Sequence, residues 1–232
     1  MVATTISQEK ILSRLQKLAS KGKYETGLRI LEDFLKQNLP NDEIQLKHAF
    51  FLYHYGANLK YSSNAQNNSR QKQKIAGYFN GAIRICRELI KKRKKLPERI
   101  HLNARIYLAQ IYAMLGKKTK AKELAKETYE YFPSSLSAER AADVNFRLND
   151  FKRALYWYRL AVKNAEKTDE KATAHTGLAI LYKNTNNIKK SCYEAQIALR
   201  LIKGVDCLKL LKEILYAHIP ELETLNKKLC QT

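Results

Sequence analysis

The chain has 232 residues, and 45% of them are hydrophobic, which is enough to bury a sizeable core. Its 8 glycines and 4 prolines are too few for the many turns of an all-β protein. The abundant Leu, Lys, Ala, Glu and Tyr instead favour an all-α fold. The formal net charge of +21 predicts attraction to phosphate, to acidic protein segments or to anionic lipid head groups.

The cysteines and the apolar segments indicate the compartment. Cys86, Cys192, Cys207 and Cys230 are isolated and have no Cys-x-x-Cys spacing, which is typical of buried or free thiols in a reducing environment. The most apolar run, residues 49–59, is too short to span a bilayer. The first residues show no secretory pattern. We therefore expect a cytoplasmic protein without a membrane span.

Apolar residues recur at steps of three and four residues, which predicts amphipathic helices along almost the whole chain. The first helix is predicted over 8–20, the second runs from Tyr24 to a point before Pro40, and the third begins at Asn41 or Asp42. Residues 62–74 contain no large apolar side chain and predict a polar insertion loop. A fourth helix follows over 75–95 and ends before Pro97.

Helices beyond Pro97 follow one another at shorter and more regular intervals. They are predicted over 98–115, 118–132, 135–148, 151–166, 170–184 and 188–203. A final pair is predicted over 205–217 and 220–229, with Pro220 between them. Because nothing covers the last repeat from the C-terminal side, we expect residues 205–229 to act as capping helices.

A short turn pattern recurs four times at the start of a helix. A glycine or asparagine in the turn stands two residues before the first residue of the next helix. A small residue then follows three positions after that first residue. The pattern occurs at Gly22 to Gly27, Gly116 to Ala121, Asn149 to Ala154 and Asn186 to Ser191. Such a period predicts stacked helix pairs, each covering the apolar face of its neighbour. We expect an all-α solenoid of about five antiparallel helix pairs, with residues 1–232 forming a single domain.

The stretch Leu108 to Pro133, which reads LAQIYAMLGKKTKAKELAKETYEYFP, resembles a tetratricopeptide repeat in the intervals between its Gly, Ala and terminal Pro. Residues 15–40, 142–166 and 178–203 resemble it more loosely. The resemblance implies a protein or peptide partner in a groove lined by the first helix of each pair. The groove residues that it implies are Asn103, Ile106, Gln110, Met114, Glu139, Asp143, Phe146, Arg147, Ile180, Lys183 and Asn184.

Positive charge is concentrated in residues 43–97, which contain twelve Lys or Arg and two Glu. The run from Lys91 to Lys95 has two interpretations: cations at a favourable helix end, or part of a phosphate-binding stripe that follows a nucleic-acid backbone. The stripe would include Arg84, Arg87, Lys91, Lys94 and Lys95. The full candidate basic patch is Arg70, Lys72, Lys74, Arg84, Arg87, Lys91, Lys92, Arg93, Lys94 and Lys95.

The sequence contains no motif that predicts catalysis. The five histidines lie at no convincing metal-ligand spacing, and there is no phosphate-binding loop, dinucleotide fingerprint or nucleophile motif, so we expect no metal and no cofactor. Residues 156–159 (Tyr-Trp-Tyr-Arg) resemble a stacking motif, although packing explains most of the cluster. We therefore expect a non-enzymatic scaffold. An RNA- or ribosome-associated solenoid using residues 70–95 and a helper protein for secretion or surface assembly remain alternatives.

Overall fold

The computed structural model describes residues 7–62, 69–92, 95–202, 209–219 and 222, which form eleven α-helices and no strand. The chain divides into two compact units, Met1–Leu115 and Gly116–Thr232, called here the first and the second unit. The first unit holds α1 (Gln8–Ser20), α2 (Tyr24–Leu35), α3 (Asp42–Tyr61), α4 (Ser69–Lys91) and α5 (Glu98–Met114). The second holds α6 (Lys118–Tyr131), α7 (Ser135–Arg147), α8 (Phe151–Asn164), α9 (Thr168–Asn184), α10 (Ile188–Ile202) and α11 (Lys209–His218).

The first unit is organised around α3, which packs against α1, α2, α4 and α5. Its most deeply buried side chains include Leu15, Leu31, Phe51 and Phe79. Helix α3 begins where the sequence predicted, because the Asn41 side chain accepts a hydrogen bond from the backbone N–H of Ile44 at 2.9 Å. This unit therefore consists of helices whose apolar residues, spaced three to four positions apart along each helix, meet at a shared core.

The second unit continues the same arrangement, with α7 packed on α8, and α9 packed on both α8 and α10. Helix α11 covers the open side of α9 and α10, where Leu215 and Ile219 are fully buried among Ala179, Ala195 and Ile202. The predicted capping role is thus seen for α11. The other predicted capping helix, over 220–229, lies outside the described residues apart from the buried Leu222.

The recurring turn has the same backbone conformation at all four predicted places. Gly22 and Gly116 have φ of 65° and 70°, and Asn149 and Asn186 both have φ of 58°. Gly and Asn are the residues that adopt this left-handed conformation at low cost, so they terminate a helix and turn the chain into the next one. The sequence pattern and the repeated turn therefore have one physical cause.

The insertion loop predicted over 62–74 is wrong in its second half. Helix α4 already begins at Ser69, although Arg70, Lys72 and Lys74 are exposed. Arg, Gln and Lys are good helix formers, so a polar segment can extend a helix beyond its buried face. The same helix ends at Lys91, before the predicted residue 95. That residues 1–232 form one continuous domain stays a prediction.

Small residues at the helix crossings allow close packing. An added Cβ at Gly27 of α2 would lie 2.1 Å from Cε1 of Phe51, which belongs to α3 and not to α1. Ser191 of α10 is fully buried, and its hydroxyl donates to the carbonyl of Ala179 in α9 at 2.8 Å. Both contacts require a side chain smaller than a typical helix residue.

Candidate interaction surfaces

The groove residues predicted on α5 of the first unit are mostly inaccessible. Ile106, Gln110 and Met114 are 4%, 8% and 5% exposed. The sulfur of Met114 accepts a hydrogen bond from the Tyr61 hydroxyl at 3.3 Å, and its carbonyl accepts one from Lys60. Asn103 is half-buried, and its amide donates to the carbonyl of Arg99 at 2.9 Å. The buried three support the fold and offer no surface to a partner.

In the second unit, two of the predicted groove residues form a polar network on α7. Arg140 donates to the Asp143 carboxylate at 2.9 Å and also lies 3.1 Å from the Glu139 carboxylate. The Tyr158 hydroxyl of α8 donates to the other oxygen of Asp143 at 2.7 Å. Since Glu139 is only 8% exposed, the predicted groove residue is a buried one.

Burial controls the protonation of this network. It raises the pKa of Glu139 to about 7, with Arg140 opposing the shift and the neighbouring Asp143 adding to it. Burial likewise raises the pKa of Tyr158 well above its usual value, and the Asp143 carboxylate adds to the effect. Tyr158 therefore remains a neutral hydrogen-bond donor at physiological pH, and Asp143 is its acceptor.

The remaining predicted groove residues are accessible and lie near the C-terminal ends of α7 and α9, which pack against each other. Phe146 is half-buried and its ring centroid is 5.7 Å from that of Phe151, while Arg147 is exposed. On α9, Ile180 and Lys183 are half-buried and Asn184 is exposed. We call these accessible residues the α7–α9 face, defined by Phe146, Arg147, Ile180, Lys183 and Asn184. It combines apolar, cationic and amide groups.

The exposed stripe of cations on α4 is shorter than the predicted stripe. Arg84, Arg87 and Lys91 are exposed at spacings of three and four residues and share one face of α4. Because α4 ends at Lys91, Lys95 does not continue the stripe, and Arg93 and Lys94 lie outside the described residues. Lys92 is paired with Asp42 at 2.8 Å.

Part of the charge on α4 interacts with the first unit itself. Arg87 donates to the hydroxyl of Tyr112 on α5 at 2.8 Å. The pKa of His48 is lowered to about 4, first by burial and then by repulsion from Arg84. His48 therefore stays neutral at physiological pH, and Arg84 produces a positive potential that reaches into the unit.

The aromatic cluster on α8 divides into exposed and packed members. Tyr158 is 5% exposed, and Trp157 is half-buried with its ring 5.2 Å from that of Tyr129. Tyr156 is 62% exposed. The sequence interpretation missed its counterpart, Tyr193 on α10, which is 63% exposed. The signal was present in the repeat length, since Tyr193 follows Tyr156 by the same interval that separates Ser191 from Ala154.

Neither a metal-binding cluster nor a membrane-spanning helix is found in the described part of the chain. Within it, no group of three or more His, Cys, Asp or Glu side chains is placed to hold a metal ion. Its helices also include none with the length and apolar character needed to cross a membrane. Cys86 and Cys192 are buried thiols, and burial raises the pKa of Cys86 to about 12.

Successive packed helices, joined by one repeated left-handed turn, define a helical-repeat protein. The crystal structure of TTC0263, a thermophilic TPR protein in Thermus thermophilus, is similar over 90% of this chain and 99% of that chain, with 17% identity and a TM-score of 0.61. MamA 41-end from Desulfovibrio magneticus RS-1 covers 89% of this chain and 99% of its own at 13% identity and a TM-score of 0.49. No family model and no curated protein matches the chain. The chain has the tetratricopeptide-repeat fold, which confirms the resemblance found in the sequence.

Proposed function

We propose that this protein is a non-enzymatic scaffold that binds a peptide or protein partner through the faces of its first helices. The observation that supports this most is the α7–α9 face, where accessible apolar and cationic side chains lie near the C-terminal ends of two packed helices. Such a mixed surface gives affinity through a few anchors surrounded by shallow contacts. In this proposal the protein works in the cytoplasm, which is consistent with its buried thiols.

The chemistry of the α7–α9 face indicates the kind of segment that fits. Phe146 and Ile180 offer apolar contact, while Arg147 and Lys183 offer positive charge in the last turns of their helices. Asn184 donates its amide to the carbonyl of Ile180 at 2.8 Å, so its oxygen can still accept a hydrogen bond. A peptide with one apolar anchor beside carboxylates matches this arrangement.

The test is a selection of peptides from a displayed random library on the full-length chain, followed by binding measurements on variants. The variant R147E/K183E reverses the charge of the proposed face. The control K118E/K120E makes the same charge change on α6, where both lysines are exposed. We expect selected peptides to bind the wild type and the control but to lose at least about tenfold in affinity for R147E/K183E. Equal binding to both variants would contradict the assigned face.

The RNA- or ribosome-associated function remains the second candidate, and a specific observation favours it. Arg84, Arg87 and Lys91 form an exposed stripe on α4, and the pKa of His48 is lowered first by burial and then by the positive charge of Arg84. Contacts of this stripe with phosphate would make the logarithm of affinity fall steeply with salt, by roughly 0.7–0.9 per phosphate neutralised. The variant R84Q/K91Q should then reduce that slope, whereas an unchanged slope would remove α4 from consideration.

A further inference from the structure

The exposed faces of α8 and α10 carry the same arrangement of a tyrosine between cations. The residues on α8 follow at steps of four, three and four, which places them on one side of a helix. They are Lys152, Tyr156, Arg159 and Lys163. The residues on α10 have the same steps, and they are Lys189, Tyr193, Gln196 and Arg200. The same arrangement therefore occurs on the second helices of two successive helix pairs, with one cation replaced by Gln196 on α10.

A side chain of α9 connects the two faces. Arg159 of α8 donates to the Tyr182 hydroxyl at 3.4 Å, and the ammonium of Lys190 on α10 lies 5.6 Å from the centre of the same ring. Tyr182 itself is 8% exposed and belongs to the core between the helices. Cations of both helices thus meet at one residue, and the two exposed faces together are called here the α8–α10 surface.

The positive charge of this surface is largely uncompensated. Helix α8 has four cations and no acidic residue, and α10 has three cations and one acidic residue, Glu194. The Glu194 carboxylate lies 2.7 Å from Nδ1 of His175, on the α9 side. Lys152, Lys163, Lys189 and Arg200 form no ion pair with any residue that the structure describes. Their charges are thus directed at the solvent.

A ligand for this surface needs both anions and flat faces that can stack. Tyr156 and Tyr193 are 62% and 63% exposed, so most of each side chain lies outside the core. Single-stranded nucleic acid offers phosphates to cations and unpaired bases to exposed aromatic rings. A duplex keeps its bases stacked inside, and an acidic peptide offers charge alone.

We propose that the α8–α10 surface binds single-stranded nucleic acid. In this proposal Tyr156 and Tyr193 stack on bases, and Lys152, Lys163, Lys189 and Arg200 contact the phosphates. The surface uses other helices than the α7–α9 face, so it does not depend on the proposed scaffold function. It also differs from the stripe on α4, where Tyr78 is half-buried with its ring 5.0 Å from that of Tyr55.

The test measures fluorescence anisotropy of the full-length chain with labelled probes at about 50 and 200 mM salt, where phosphate contacts change affinity strongly. The probes are oligo(A) RNA and oligo(dA) DNA of about 20 nucleotides, long enough for several stacking contacts, their duplexes, and a poly-glutamate peptide. The variants are Y156A/Y193A and K152Q/K163Q/K189Q/R200Q. The matched control K10Q/R14Q/K17Q/K21Q removes the same number of exposed cations, three lysines and one arginine, from α1 and its C-cap. Circular dichroism confirms that each variant is folded.

We expect the wild type to bind both single-stranded probes. The probe that binds with the higher affinity, RNA or DNA, indicates which nucleic acid is the natural ligand. Y156A/Y193A should lose roughly 5- to 100-fold for each stacked base and keep its salt dependence. The cation variant should reduce the slope of log affinity against log salt by roughly 0.7 per lost phosphate contact. The control should stay within about twofold of the wild type, because its cations belong to another surface.

Four results would overturn the proposal. The first is wild-type affinity in Y156A/Y193A, which would remove stacking. The second is an equal loss in the α1 control, which would show that net charge alone carries binding. The third is duplex binding as tight as single-strand binding. The fourth is tight binding of the peptide that does not depend on the tyrosines, which would identify an acidic protein partner instead.

Discussion

The contact between Gly27 and Phe51 makes a quantitative prediction about the substitution Gly27→Ala. In an exposed helix position, alanine in place of glycine stabilises by about 1 kcal/mol. Here the new methyl would lie 2.1, 2.6 and 2.7 Å from three carbons of the Phe51 ring, which is fully buried and would have to shift. Overpacking of this kind costs roughly 1–3 kcal/mol. We expect the cost to prevail, with a net loss of up to about 2 kcal/mol.

Gly77 provides the matched control within the same unit. It lies in α4, and a Cβ added to it would meet nothing within 4 Å. Gly77→Ala should therefore raise the free energy of unfolding by up to about 1 kcal/mol. Urea denaturation followed by circular dichroism measures both variants. A Gly27→Ala variant as stable as Gly77→Ala would refute the packing argument. So would strict additivity with Phe51→Leu, because residues in contact should couple.

Three further predictions follow from the network on α7, the α4 charge and the repeated turn. Because the pKa of Glu139 is about 7 in the folded chain and near 4.5 when unfolded, stability should fall as pH rises between these values. Glu139→Gln should then gain up to about 3 kcal/mol over the wild type from pH 5 to pH 8 in urea denaturation, and a constant difference would contradict this. Arg84→Gln should raise the pKa of His48 in an NMR titration, since it removes a repulsive charge; an unchanged pKa would leave burial as the sole cause. Asn149→Ala should lower stability by about 1 kcal/mol and Asn149→Gly should not, because only alanine is strained at φ of 58°; equal thermal midpoints would refute this.

The helices and turns could be predicted because their causes are local. The apolar period, the stop at Pro133 and the Asn or Gly in each turn act within a few residues, so the observed bounds of α1, α6 and α8 lie within two residues of those expected. The left-handed turn at Asn186 likewise depends on one residue type. The sequence therefore contained the fold class and the repeat in a directly readable form.

The accessible sites could not be predicted to the same extent, because accessibility depends on contacts between distant residues. Met114 lies at a groove position of its repeat, yet it is 5% exposed and bonded to Tyr61. Glu139 is buried beside Asp143 for a similar reason. Periodicity shows which face of a helix is apolar, but it does not show whether a neighbouring helix covers the remaining faces.

Charge illustrates the same limit and explains why the α8–α10 surface was missed. Counted along the chain, the excess of cations is greatest in residues 43–97, where α4 lies. In the folded first unit, however, Lys92 is paired with Asp42 of α3, which lies outside that segment. An acidic residue on another helix thus reduces the local field.

On α8 the opposite occurs. Residues 134–169 have a net charge of only +2, because acidic residues on α7, on α9 and in the loops beside α8 balance its cations, but none of those residues lies on α8 itself. A ligand responds to the charge on a surface and not to the charge of a segment. Hence the cations beside Tyr156 and Tyr193, although fewer than those of residues 43–97, belong to the surface proposed to bind phosphates and bases together.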